Sequence, residues 1–186
     1  MTARAMTLCV LAVLALSACD KPKPRHPPPD PMEAAPPPPA QALAATLPAL
    51  SGGLHKRSEF ARFSLDTIGR AVDPANRQPA VIPAGEPIAL SGFGLDEVAK
   101  RPAKGVDVVI DGTAYGSTYG APRPDVAAYF KSPALAAVGF KAQLPAGLVP
   151  VGDHQAAVRV IAADGKGYFE SPPIPFTVQF SEPKRH

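Results

Sequence analysis

The sequence predicts an all-β fold, an antiparallel two-sheet sandwich, on three observations. Apolar and polar residues alternate with period two through most of residues 59–181, the pattern of half-buried strands. Glycine-containing turn dipeptides separate these runs. The 186 residues hold 46% apolar and only 6% aromatic side chains, with no tryptophan, and about seven or eight such runs fit in about 120 residues, the density of a two-sheet sandwich.

The strands follow in order. Ala61, Phe63 and Leu65 alternate with Arg62, Ser64 and Asp66. Ile88 and Leu90 alternate with Ala89 and Ser91, and Val106, Val108 and Ile110 with Asp107, Val109 and Asp111. Phe140, Ala142 and Leu144 form the next set, then Ala156, Val158, Val160 and Ala162, then Ile174, Phe176, Val178 and Phe180. Pro175 lies on the outward set of the last run, which predicts an edge strand.

Asp111-Gly112 joins VDVVI to TAYGSTY, and Asp164-Gly165 follows RVIAA. Pro83-Ala84-Gly85-Glu86 and Pro145-Ala146-Gly147 are further turns. The rhythm breaks once. Asp125 is placed to cap a short helix at Val126–Phe130, and Ser132 a turn at Pro133–Ala137. The strand count and turn spacing predict an immunoglobulin-like β-sandwich with a short helical insertion.

Ahead of this domain the composition changes. Arg4 precedes an apolar run, Met6–Leu16. Eleven helical residues span about 16 Å at ~1.5 Å each, while a bilayer core needs about 20 residues. The run therefore reads as the apolar core of a signal peptide, residues 1–18. Residues 19–58 form a linker, expected to be disordered, whose first half is rich in proline. Proline has no N–H and a fixed φ, which favours extended polyproline II. Gln41–Leu54, interrupted by Pro48 and Gly52-Gly53, is expected to continue that mobile linker, and residues 182–186 form a basic tail.

The formal charge is +3, yet residues 59–180 hold eleven Lys/Arg against twelve Asp/Glu. The excess of basic residues, Lys56 and Arg57 among them, is thus assigned to the flanks. A nucleic-acid binder concentrates them on one face of the fold, so no nucleic-acid partner is expected.

Leu16-Ser17-Ala18-Cys19 resembles the lipobox of bacterial lipoproteins. The resemblance implies that the Cys19 thiol forms a thioether to diacylglycerol and that cleavage falls before it. The mature chain is then a membrane-anchored envelope lipoprotein facing the periplasm. Two or more acyl chains make such anchoring stable. Asp20 tilts the expectation toward the inner membrane. The alternative is a plain secretory signal. Cys9 is discarded with the signal, so no disulfide is expected.

Residues 60–180 also resemble a family of immunoglobulin-like domains on bacterial envelope proteins. The resemblance rests on Ser64-Leu65-Asp66, Val109-Ile110-Asp111-Gly112, Tyr119-Gly120, Arg123-Pro124-Asp125-Val126-Ala127, Val138-Gly139-Phe140, Gly152-Asp153-His154 and Ala163-Asp164-Gly165. It implies a sandwich and an envelope setting, and no activity. The cystine and tryptophan of antibody domains are missing.

Catalytic signatures are not found within the domain. It has no G-x-S-x-G or Ser-x-x-Lys, and of four histidines only His154 falls inside it. A metal site needs three or four converging ligands, so no metal or cofactor is expected and His154 is assigned to closing a turn. Asp107 and Asp111 share a strand face about 13 Å apart at ~3.3 Å per residue, too far for a glycosidase carboxylate pair. Tyr115, Tyr119, Arg123 and Tyr129 are the candidate ligand contacts, with Tyr115 and Tyr119 on one strand face. Such side chains stack on a sugar or peptide, or else cover the core edge while Arg123 pairs with a carboxylate. The expected function is a non-catalytic binding or assembly module contacting another envelope protein. A carbohydrate- or peptidoglycan-binding module is the alternative, and a cell-wall enzyme comes third.

Overall fold

The computed structural model describes residues 46–59, 62–77 and 79–181. The expected signal peptide, Cys19, the proline-rich stretch, Phe60, Ala61 and the basic tail lie outside the described residues. The strands are β1 (His55–Lys56), β2 (Arg62–Ile68), β3 (Ala71–Val72), β4 (Ala80–Pro83), β5 (Ile88–Asp96), β6 (Arg101–Pro102), β7 (Gly105–Ile110), β8 (Thr113–Gly116) and β9 (Thr118–Ala121). Helix α1 (Pro124–Tyr129) and a 3-10 turn (Pro133–Leu135) precede β10 (Gly139–Leu144), β11 (Gly152–Ile161), β12 (Gly167–Glu170) and β13 (Ile174–Gln179).

Two sheets result, mostly antiparallel. In the first, β8 pairs with β7 and β7 with β11. The far edge of the long β11 is shared: β13 takes Gly152–Ala156 and β12 takes Arg159–Ile161. β4 joins β13 in parallel, and β1 joins β12 in parallel. The second sheet runs β3-β2-β5-β10-β9, with β6 alongside the end of β5.

One apolar core lies between them. Leu65, Ile68, Leu90, Phe140 and Leu144 from the second sheet meet Val106, Val108, Val158, Val160 and Phe176 from the first. A Cβ on Gly94 would stand 2.9 Å from both Val106 and Val160, so the valines of β7 and β11 close directly onto β5. The sheets are held by this packing, with no cysteine among the described residues.

The turns follow their sequences. Asp111 (φ 47°) and Gly112 (φ 85°) both occupy the left-handed region, a type I′ turn whose twist suits the β7–β8 hairpin. Gly85 and Gly147, with φ 81° and 75°, supply the third position of type II turns closed by Glu86 N–H to Pro83 O and Leu148 N–H to Pro145 O.

Four expectations are corrected. First, the alternation in β2 shifts phase. Leu65 pairs with Gly92 and Thr67 with Ser91, so Asp66 is the extra residue of a bulge. Leu65 and Ile68, three apart, are therefore both buried.

Second, β13 is not an edge strand, because β4 pairs with Phe176–Gln179. Pro175 precedes the first residue paired with β4, where its missing N–H costs no ladder bond.

Third, TAYGSTY is two strands. The chain leaves the first sheet after Gly116 and enters the second at Thr118, with Ser117 Oγ donating to Val106 O at 2.6 Å. Tyr115 and Tyr119 thus belong to different sheets.

Fourth, residues 46–58 pack on the first sheet instead of forming free linker. Leu47 bridges Gly116, β1 extends the sheet, and Leu50 and Ser51 donate their N–H groups to buried Asp107. This cover explains why β7 is buried on both faces. Lys56 pairs with Glu170 and Arg57 with Asp164, both within the fold.

Candidate functional site

The outer face of the second sheet carries a second, smaller core. Leu95 of β5 projects away from the main core and packs with Val126 of α1, Leu135 of the 3-10 turn and Val138. Phe93, Phe130 and Tyr119 border it. The helical insertion is therefore a lid over the outer face of β5 and β10, driven by apolar burial.

Arg123 ties this lid down. Its Nε and Nη2 donate to both carboxylate oxygens of Asp125 at 2.9 and 2.7 Å, and its Nη1 donates to Asp66 Oδ2 at 2.7 Å. The guanidinium also lies 4.9 Å from the centre of the Phe93 ring. The bond to Asp125 raises the Arg123 pKa above its ordinary value. The same bond holds Asp125 down to about 2.

The expected caps are corrected here. α1 starts two residues earlier, after Arg123, and Pro124 opens it. Asp125 sits in the first turn, where its charge suits the helix end, and no side chain caps the terminus. Ser132 does precede the 3-10 turn, but its hydroxyl makes no cap bond.

Between α1 and β2 opens a cleft of about 430 Å³, lined by Arg62, Phe63, Phe93, Asp125, Val126, Tyr129 and Phe130. Arg62 is held in a bidentate pair with Glu97, at 2.9 and 2.5 Å. That pair raises the Arg62 pKa, and its guanidinium lies 5.7 Å from the Phe130 ring centre. A second groove of about 390 Å³, bounded by Leu95, Glu97, Lys100 and Leu135, adjoins across Phe130. At the mouth stands Tyr129, 79% exposed, edge-on to Phe130 with ring centres 5.0 Å apart.

Of the four candidate contacts, the structure brings Arg123 and Tyr129 to the lid. Tyr119 lies beneath it with its hydroxyl engaged, donating to Gly94 O at 2.8 Å and accepting the Ala103 N–H at 3.1 Å. Burial pushes its phenol up to about 12. Tyr115 packs against the main core from the other sheet. Phe93, Phe130 and Arg62 also line the cleft and are not among the sequence candidates. The signal for Phe93 was an aromatic residue between two glycines, Gly92-Phe93-Gly94, on the outward set of a strand.

The buried polar groups elsewhere are spoken for. Asp96 accepts the N–H groups of Ala99 and Ala163, both at 2.8 Å, and so joins two loops. Asp107 holds Leu50 and Ser51, whereas Asp111 faces His154, so the two carboxylates serve separate ends of β7. Among the described residues no three His, Cys, Asp or Glu side chains are grouped to hold a metal ion. No protein-family model matches this chain, and no curated protein matches it.

Proposed function

We propose that this chain is a lipid-anchored envelope protein whose immunoglobulin-like sandwich is a non-catalytic binding or assembly module. Its partner is another envelope protein, engaged at the cleft beside α1. The immunoglobulin-like assignment is supported by strand order. β2-β5-β10-β9 follows the A-B-E-D order of that fold, and β4-β13-β11-β7-β8 follows A′-G-F-C-C′, with the parallel β4–β13 pair in the A′–G place. The lipobox at Leu16–Cys19 supports the anchor.

The observation that carries the binding role is Tyr129. A large, two-torsion aromatic side chain stands 79% exposed at the mouth of an apolar cleft. The neighbouring charges Arg62, Arg123 and Asp125 are already paired. Tyrosine of this kind supplies contact area at low entropic cost, while paired charges on the rim add orientation. A photo-crosslinking residue at position 129 is expected to capture a membrane-associated protein in intact cells, whereas one at Val72, exposed on β3, is not. Equal labelling from both positions would remove the site.

A glycan is the second reading. The exposed Tyr129 ring with Asp125 beside it offers a stacking face and a hydroxyl acceptor. Retention on peptidoglycan or a glycan array, lost in Tyr129→Ala, would favour it over the protein partner.

A further inference from the structure

His154 is 8% exposed on β11, tilted against the ring of Phe176 with centres 5.4 Å apart. Both of its ring nitrogens face acceptors. Nδ1 lies 2.6 Å from Asp111 Oδ2, and Nε2 lies 2.9 Å from the carbonyl oxygen of Pro150. A peptide carbonyl has no proton to give, so Nε2 carries one. The Asp111 carboxylate is half exposed, and its other oxygen accepts the Gln155 N–H at 2.9 Å, so it stays ionised and Nδ1 carries the second. The geometry fits the imidazolium ion.

We propose that His154 is a proton-operated clamp on the Pro145–Val151 loop, which closes that loop onto β11 when doubly protonated and releases it when one proton leaves. The remaining proton stays on Nδ1, because a bond to a carboxylate is stronger than one to a neutral carbonyl. The Nε2 lone pair then faces the Pro150 oxygen, and the two repel. The loop that lets go carries Leu148 and Val151, 40% and 49% exposed, while Asp111 keeps its place in the hairpin turn.

The surroundings suit this assignment. Asp111 faces the ring from the β7–β8 turn and Asp153 lies beside it on β11, while β13 contributes the uncharged Phe176. Burial opposes the charged ring, but the bonds to Asp111 and Pro150 and the nearby carboxylates outweigh it, and the His154 pKa is raised. The clamp is therefore closed below the ordinary histidine range, about 6.5, and opens as pH rises through the higher native value.

The test is a pH titration of the full chain by imidazole ¹⁵N resonances together with hydrogen exchange. His154 is expected to titrate above 6.5 with both nitrogens protonated at the acid end. Across that midpoint the 145–151 segment gains about tenfold in exchange beyond the ordinary base-catalysed rise, the scale of one lost charge-assisted bond. The Gln155 amide, held by Asp111, shows no such step. Asp111→Asn preserves a turn-forming Asn-Gly pair and removes the charge. It is expected to move both the midpoint and the loop step to lower pH. Overturning results are a midpoint at or below 6.5, a loop indifferent to the titration, a step at Gln155 instead, or an Asp111→Asn midpoint that does not move.

Discussion

Asp107 Oδ2 accepts the Ser51 N–H at 2.7 Å across 56 residues of sequence, and its other oxygen accepts the Leu50 N–H at 3.0 Å. The carboxylate is fully buried. It is the latch that turns the segment before β1 into a cover for the outer face of the first sheet. Asp107→Asn keeps the shape but puts an N–H₂ where one amide must donate. A loss of about 1.5–3 kcal/mol is expected from urea unfolding, with faster hydrogen exchange in residues 47–54. Unchanged protection there would show that apolar contacts alone hold the segment.

Gly92 is fixed by the β2 bulge. A Cβ at this position would lie 1.9 Å from Ser64 O, a backbone atom that cannot swing away. Gly92→Ala is expected to destabilise by about 1–3 kcal/mol or more. Gly52→Ala is the control, since its nearest neighbour is 4.0 Å away and surface changes of this kind stay within about 0.5 kcal/mol. Similar melting curves for the two variants would contradict the bulge geometry.

Tyr119→Phe removes a hydroxyl bonded to Gly94 O and the Ala103 N–H. The cost is about 1–3 kcal/mol, because the Gly94 carbonyl and the Ala103 amide lose their partner. In the native protein this phenol stays protonated to about pH 12. Unfolding frees it to ionise near 10, so stability falls as pH rises from about 10 to 12. The variant should lack that contribution, read as a shallower alkaline decline of Tm.

Asp125 gives the opposite sign. Its pKa is depressed to about 2 by Arg123, so its contribution is full above about 3.9 and is lost as pH falls through 2. The carboxylate is largely exposed, and solvent keeps the effect small. Asp125→Asn should flatten part of the acid decline in Tm. Asp111, Asp164 and Glu170 are also depressed, so the rest of the decline remains.

For the anchor, Cys19→Ala is expected to abolish incorporation of labelled fatty acid and to leave the precursor uncleaved. An unlipidated mature terminus found elsewhere by mass spectrometry would replace the lipoprotein assignment with a plain secretory one.

The period-two pattern was enough for the all-β fold, because alternation encodes which side of a pleated strand meets the core. Val106–Val108–Ile110 and Ala156–Val158–Val160 pair and pack as their sequence suggests. The Asp111-Gly112 turn was equally legible, since few residue pairs accept two positive φ angles. Local sequence also located the helical insertion.

What tertiary structure decided were partners and faces. The bulge at Asp66 depends on β2 meeting β5, so no local pattern marks the phase change. The cover over Asp107 depends on a segment 56 residues away. The split of Tyr115 from Tyr119 depends on the chain changing sheets at Ser117, and the cleft joins Tyr129 of α1 to Phe93 of β5 and Arg62 of β2. Hydrophobic period is a property of neighbours along the chain. Pairing, crossing between sheets and the shape of a cleft arise between segments far apart in sequence, and only folding brings them into contact.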